Sequence, residues 1–428
     1  MRVMKWSIIA LAVAAGTSQF AVASSQEESK GFFGDQSLKL KTRLQYMNRD
    51  FRNGAGNISN GDGTFKSGYR EDTGISQLLT YESGFTQGTV GFGLDAMAMG
   101  SARLDGGEGR TGNGLFANND DGEPEHSQGK TGAAVKLRLS DTTLKYGNQF
   151  VASPVFATDD SRLLPEVATG TLITSKEIEG LELSAGRFTA LSAQTGMGRD
   201  SINGRHTQGL TSANIVGATY QFNDSLVGTV AASDIDEYFK KQYVNLNYTL
   251  PIADAQSLNF DFNGYRTKGQ GQERAGNVDN KIWSLAAAYS LGAHKFTIAH
   301  QRSSGDAGYY YGVDGGSAVF LANSIQISDF NGKDERSWQA RYDINMAEFG
   351  VPGLSFMTRY VKGDNIDTGG DSDSQETELN YEAKYVMQEG PAKDLSFRLR
   401  SAVYRANSDY NNDNNDVRVI IEYPLSIL

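Results

Sequence analysis

Cysteine is absent from this chain, so its stability cannot rest on disulfide bridges. Beyond the first two dozen residues no stretch approaches the roughly 18 consecutive apolar residues of a membrane-spanning helix. Proline is scarce, 7 in 428 residues, and 3 tryptophans are far outnumbered by 20 tyrosines and 21 phenylalanines. Few prolines leave long β-ladders uninterrupted, and 49 glycines supply tight turns between them. Histidine is nearly missing too. His126, His206, His294 and His300 are the only four, and no His/Glu or Cys cluster has metal-ligand spacing. No Gly-x-Ser-x-Gly nucleophile elbow occurs. Neither a metal nor another cofactor is therefore expected, and no catalytic residue stands out. Basic charge is also short, with 40 Lys and Arg against 51 Asp and Glu, a net −11. So acidic a chain is a poor nucleic-acid binder, and none is expected as a partner.

What is present begins with a processing signal. Arg2 and Lys5 precede the largely apolar run 6–15, and Ala21-Val22-Ala23 fits a small-x-small cleavage site. Residues 1–23 read as a signal peptide and 24–428 as one exported domain. The apolar run is too short to anchor the chain in a bilayer.

Across that domain apolar and polar residues alternate in segments of about 9–11 residues, the length of a tilted strand crossing a membrane. Short turns such as Ser140-Asp141, Glu179-Gly180 and Asn223-Asp224 alternate with long polar insertions; one connection, at 236–238, is short where a long one is due. The tally is about 18 strands, an even number with long and short connections alternating. A soluble β-helix or propeller needs a fixed-period repeat, and none is found. The fold class is all-β, a transmembrane antiparallel up-and-down barrel. The last segment, with Val417, Val419, Ile421, Tyr423, Leu425 and Ile427 on one face, suits closure against the first. The chain ends in Leu428 rather than an aromatic residue.

If the apolar face of each strand meets lipid, the opposite face lines the lumen. Basic residues on that face are Lys39, Lys41 and Arg43 in the first strand, and Lys136, Arg138 and Lys145 in the hairpin at 133–149. Arg341, Arg359, Lys384, Arg398, Arg400 and Arg418 come from the last five strands, which neighbour the first in a closed barrel. Inward acids (Asp261, Asp343, Glu378, Glu382, Glu422) neutralise part of this wall. Yet Lys39-x-Lys41-x-Arg43 and Arg398-x-Arg400 put like charges about 7 Å apart on one face. Rings of Arg or Lys mark anion pores, and a charged wall in a low-dielectric channel concentrates counter-charged solute. The insertion 150–166 differs from the others. It carries Val151, Val155, Phe156, Leu163 and Leu164 beside Asp159, Asp160, Ser161 and Arg162. A solvated loop has no use for so many apolar side chains, so it is expected to fold into the lumen and form the constriction.

From Asn148 to Glu166 this insertion resembles loop three of the OprD family of outer-membrane channels, substrate-specific carboxylate channels of pseudomonads. The seventh long loop is similar as well, at Ser304-Gly305-Asp306, Asp314-Gly315-Gly316, Phe320-Leu321-Ala322-Asn323-Ser324 and Ser328-Asp329-Phe330-Asn331-Gly332, followed by Ser337-Trp338. The resemblance implies an 18-stranded barrel in the Gram-negative outer membrane, surrounded by its lipid and working as a monomer or loose homo-oligomer. Loops three and seven would fold inward, and a ladder of Arg and Lys would lead small carboxylate solutes to an eyelet at Arg162. Arg187 would be a further eyelet residue, but it shares parity with Leu181 and Leu183 and needs a bulge to turn inward. Of the two substrate groups the family implies, the loops favour cyclic or aromatic carboxylates over basic amino acids and small peptides. A general diffusion porin is the competitor in the same class, and an outer-membrane hydrolase the competitor in another.

Overall fold

Alternating sequence becomes strand wherever one face meets lipid and the other meets the lumen. The computed structural model describes residues 26–53, 55–58, 65–119, 123–199, 209–370 and 373–428. The expected signal peptide and its cleavage site lie outside the described residues. Strands run in order from β1 (Ser37–Phe51) through β2 (Asn57–Ile58), β3 (Phe65–Ser67), β4 (Tyr69–Glu82), β5 (Val90–Asp105), β6 (Ser127–Leu139) and β7 (Thr142–Gln149). Then come β8 (Ala152–Ser153), β9 (Phe156–Ala157), β10 (Val167–Ile178), β11 (Leu181–Ser192), β12 (Ala213–Asn223), β13 (Leu226–Ile235) and β14 (Phe239–Ala253). The remainder are β15 (Gln256–Gly269), β16 (Asn280–Leu291), β17 (His294–Gly305), β18 (Arg336–Asn345), β19 (Leu354–Ile366), β20 (Ser374–Val386), β21 (Ser396–Ala406) and β22 (Asn414–Ser426).

Eighteen of these strands form one antiparallel sheet. β22 pairs with β1 from Lys39↔Ser426 to Phe51↔Asn414, so the sheet closes and has no edge. The short pairs β2–β3 and β8–β9 stand apart, the latter inside the insertion 150–166. The 18-strand expectation holds, short connection at 236–238 included.

The outer face is what lipid demands. Val216, Ile298 and Trp338 are each more than half exposed, a cost that water would not allow on so many strands. The packed core lies inside the barrel. Val151, Val155 and Phe156 of the insertion join Phe188, Ile235, Phe239, Tyr265, Val313 and Leu321 in one buried cluster. One side of the lumen, β10 to β16, is thus filled by packing. The other side, β17 to β22 and β1, keeps a largely polar and charged inner face, interrupted by buried residues such as Met47 and Val361.

Candidate functional site: two inward loops and a basic wall

Loop three, 150–166, leaves β7 and crosses to β1. Its first half is apolar and packs on the barrel wall; Phe156 stacks on Phe188 at 4.6 Å between ring centroids. Its second half carries the polar run 159–162, held by the first strand. Leu163 and Leu164 follow, the first buried with Met47, Leu115 and Phe116, the second with Leu78, Met97 and Met99. Lys41 Nζ donates to Asp160 at 2.6 Å, and Arg43 reaches both Asp160 at 3.0 Å and Glu422 at 2.6 Å. Arg43 also donates to the carbonyl of Arg162. Ser76 donates to the Leu163 carbonyl at 2.7 Å. Burial opposes ionisation of Asp160, but Arg43 and Lys41 overcome it and hold its carboxyl below the ordinary range.

Loop seven, 306–335, lies against loop three. Ala157 donates its N–H to the Asp314 carbonyl at 3.0 Å, and Gly316 donates to Glu166 at 2.9 Å. Gly315, at φ +96°, passes so close to loop three that an added Cβ would stand 1.8 Å from the Ala157 carbonyl oxygen. Only glycine fits that approach. Behind it, Asp314 and Lys241 form a fully buried ion pair at 2.5 Å. Farther along, loop seven reaches the opposite wall. Gln326 donates to Asp416 at 2.8 Å and accepts from Arg418 at 3.1 Å, and the Ser328 N–H donates to Glu378 at 2.9 Å. Both loops therefore lie inside the barrel.

The inner face beside them is basic. Arg341 on β18 pairs with Asp343 at 2.7 Å and stands in register with Arg359 on β19. Arg359 is buried and donates to the Asn380 side chain at 3.0 Å. Arg398 and Arg400 on β21 share one carboxylate, Glu382, at 2.7 and 3.3 Å. Lys384 faces Arg398 in register, and Arg400 faces Arg418, whose own carboxylate is Asp416 at 2.7 Å. Among the described residues, Arg359 and Lys384 have no carboxylate within ion-pair distance. From loop three, Arg162 donates to the Asn113 carbonyl at 2.9 Å and to the Ser161 hydroxyl at 3.0 Å, both neutral acceptors. Burial, and then the repulsion of Arg418, lower its pKa to about 10, which still leaves it a cation at neutral pH.

An 18-stranded closed barrel with two loops inside and one basic wall is the build of a channel. The sequence model described as outer membrane porin, OprD family, matches residues 30–427. The chain belongs to the OprD family. It is 46% identical to Porin D of Pseudomonas aeruginosa over the full length of both chains. It is 33% identical to the porin-like protein GalP of Pseudomonas putida, over 96% of this chain and 97% of that one. Among solved structures it resembles OccAB1 of Acinetobacter baumannii, with a TM-score of 0.88 at 33% identity over 95% of this chain and 100% of that one. It also resembles OpdK of P. aeruginosa crystallised with vanillate, with a TM-score of 0.84 at 31% identity over 92% and 100%. OprD-family proteins are outer-membrane channels of Gram-negative bacteria, not enzymes.

Not every residue expected in this porin's pathway stands on the wall. Arg187 remains on the outer face. Its neighbour Phe188 points inward to Phe156, and Arg187 itself donates to Asn214, its exposed cross-strand partner, at 2.9 Å. The ladder does shift register between Thr169 and Gly170, but the shift leaves Arg187 outside. Lys136 and Lys145 face the lumen three or more strands from β1, both bound to Asp95 at 2.6 Å. Arg138 lies beside them, donating to Gln26 at 2.9 Å and stacked over Phe85 at 4.2 Å. Lys39 faces the lumen near the β22 end, exposed. Asp159 accepts from the Ser161 N–H and hydroxyl, both at 2.8 Å.

Sequence reasoning missed Arg49, Lys295 and Lys241. Arg49 continues the parity of Lys39, Lys41 and Arg43 past the expected end of the first strand, and pairs with Asp416 at 3.1 Å. Lys295 shares its face with the buried Thr297 and Gln301, and is opposite Asp343 in register. Extending the parity count by one residue would have found Arg49, and applying it to the strand that begins at His294 would have found Lys295. Lys241 lies on the face opposite the outward Val244, Leu246 and Tyr248, so parity places it inward too; what parity could not name was its partner Asp314, 73 residues away in loop seven.

Proposed function

We propose that this porin takes up small carboxylate-bearing solutes, with loop three narrowing the pore and the basic wall conducting the anion past it. The observation that carries the reading is incomplete neutralisation along one wall. Arg398 and Arg400 share a single carboxylate, Arg359 and Lys384 have none at ion-pair distance, and Arg162 meets only neutral acceptors. Guanidinium holds a carboxylate through two parallel hydrogen bonds. Several rungs of moderate strength let an anion step through without being trapped. A general diffusion porin has no need of so lopsided a wall. The working unit is one barrel, alone or loosely associated, in contact with outer-membrane lipid.

A preference for aromatic carboxylates draws support from OpdK, a relative crystallised with vanillate. The identity to that protein is 31%, however, against 46% to Porin D. Amino acids and small peptides with a cationic end are the second reading. Asp159 favours it, since no basic side chain among the described residues lies within ion-pair distance of its carboxylate, so it is open to an ammonium group.

Liposome swelling with the purified porin tests both. Benzoate, arginine and an uncharged sugar of similar size form the panel. Benzoate and arginine entering faster than the sugar supports the carboxylate reading, and their order ranks the two solute groups. Equal rates for all three would leave a general diffusion pore.

A further inference from the structure

Four outward-facing cations crowd the long-loop end of the barrel on consecutive strands: Lys281 on β16, Arg302 on β17, Arg336 on β18 and Lys362 on β19. All four are exposed, and among the described residues none forms an ion pair. The nearby acids do not pair with them, although Lys281 acts on Asp279 at longer range. Asp279 is engaged by Arg266 and, at 3.9 Å, by Lys268. Asp364 faces Arg336 in register without closing to ion-pair distance. Arg302 and Arg336 are directly opposite each other in the ladder, an arrangement that destabilises a sheet when both residues carry the same charge.

Their height is set by aromatic residues. Arg302 is level with Trp283, and Lys362 is level with Trp338. Trp338 stacks on His300 at 4.3 Å, and His300 meets Trp283 edge-on at 5.3 Å. Such belts sit at the headgroup layer of a membrane. Below the belt the same strands turn Leu285, Phe296, Ile298 and Phe356 to the lipid, all exposed. The cations thus lie where lipid headgroups lie, and the apolar strip beneath them lies where acyl chains lie. Neighbouring strands are about 4.8 Å apart, so the patch spans about 15 Å, wider than one phosphate.

We propose that this patch docks an outer-leaflet lipid whose headgroup carries more than one phosphate. Guanidinium–phosphate pairs are strong and bidentate, and a bound phosphate between Arg302 and Arg336 turns their repulsion into a bridge. This site is on the outside of the barrel and is independent of the solute path.

The test uses the full-length porin in neutral detergent, with bisphosphorylated lipid A or phosphatidylglycerol added. Thermal unfolding and retained lipid are measured for the wild type and for R302Q/R336Q. Lipid A is expected to raise the unfolding temperature of the wild type well above that of the variant. Each basic group at a membrane surface contributes comparably, so losing two should weaken lipid A retention roughly 30-fold. Without lipid, the variant should unfold no earlier than the wild type, because a like-charge pair has been removed. Equal protection of both proteins by lipid A would overturn the proposal. So would protection of the wild type by phosphatidylglycerol as large as that by lipid A, since a single-phosphate headgroup would then suffice. If R302Q/R336Q does not fold, K281Q/K362Q takes its place under the same criteria.

Discussion

On the proposed anion path, Arg400 is the position at which a single substitution reads out most directly. Its guanidinium faces the lumen and shares Glu382 with Arg398 while standing opposite Arg418. In Arg400→Ala, Glu382 keeps Arg398 at 2.7 Å, so no carboxylate is stranded. The loss should be one charge-assisted contact of about 1–2 kcal/mol to a passing carboxylate. Carboxylate flux should fall several-fold, while a neutral sugar of similar size passes as before. Raising salt should shrink the difference, because the attraction is screened over a Debye length. Equal losses for charged and neutral solutes would give Arg400 a structural role instead. Glu166 offers a second residue-scale test. It ties the two inward loops, accepting from the N–H groups of Asp159 and Gly316 at 2.9 Å each. Burial, and then the Asp159 carboxylate, push its pKa up to about 8. The folded state therefore holds a proton that the unfolded chain gives up near the ordinary glutamate value. Its contribution to stability is full at acid pH, and it declines as pH rises from the ordinary value to about 8. Single-channel recordings should show more open-level noise at pH 9 than at pH 6 as the clasp ionises. Glu166→Gln should behave at both pH values like the wild type at pH 6. A pH response retained in Glu166→Gln would assign it to another group.

At the scale of elements, the barrel and the inward loops rest on different kinds of information. Strand positions follow from a period of two, and β7, β13 and β20 begin and end where alternation places them. Elsewhere the ladder runs a few residues past the alternating pattern, as in β6, which starts at Ser127 rather than near residue 133. Polar residues at the long-loop end keep pairing above the membrane, where alternation no longer has lipid to impose it. Loop three was legible for a different reason: its apolar residues had to be buried somewhere. The partners that bury it, Phe188, Tyr265 and Val313, come from other strands and loop seven, and nothing in the local sequence names them. Deleting 153–164 should therefore leave the barrel ladder intact, since β7 and β10 pair with each other directly from Ala168↔Gln149 onward. Single-channel conductance should rise, with heat-modifiable migration in gels showing that the barrel still folds. Unchanged conductance in a folded deletion variant would mean that another segment sets the narrowest passage.

For the whole molecule, closure was legible and the wall only in part. Parity assigned Arg341, Arg359, Arg398, Arg400 and Arg418 to one face, and closure of β22 on β1 brought them beside Lys41 and Arg43. Parity could not tell how each charge is neutralised, because the counter-ions come across the ladder or from inward loops. Parity did place Arg187 outside, and the structure keeps it there, with Phe188 taking the inward place against Phe156. Orientation in the membrane follows from the same alternation of connections. Asn118 is exposed in the long connection between β5 and β6, and Gly370 is exposed in the one between β19 and β20. Asp224 and Gly292 sit in tight turns at the opposite end, where Gly292 takes φ +53°. Outer-membrane barrels keep short turns on the periplasmic side and long loops outside. Epitope tags at Asn118 or Gly370 should bind antibody on intact cells, and tags at Asp224 or Gly292 only after the outer membrane is permeabilised. The glycine turn tolerates insertion less well than a polar loop, so heat-modifiability of each tagged barrel must be checked before its accessibility is read. With folded barrels, the reverse pattern would invert the molecule: the basic wall would then draw anions from the periplasm, and the outward cations would meet the inner leaflet instead of the outer one.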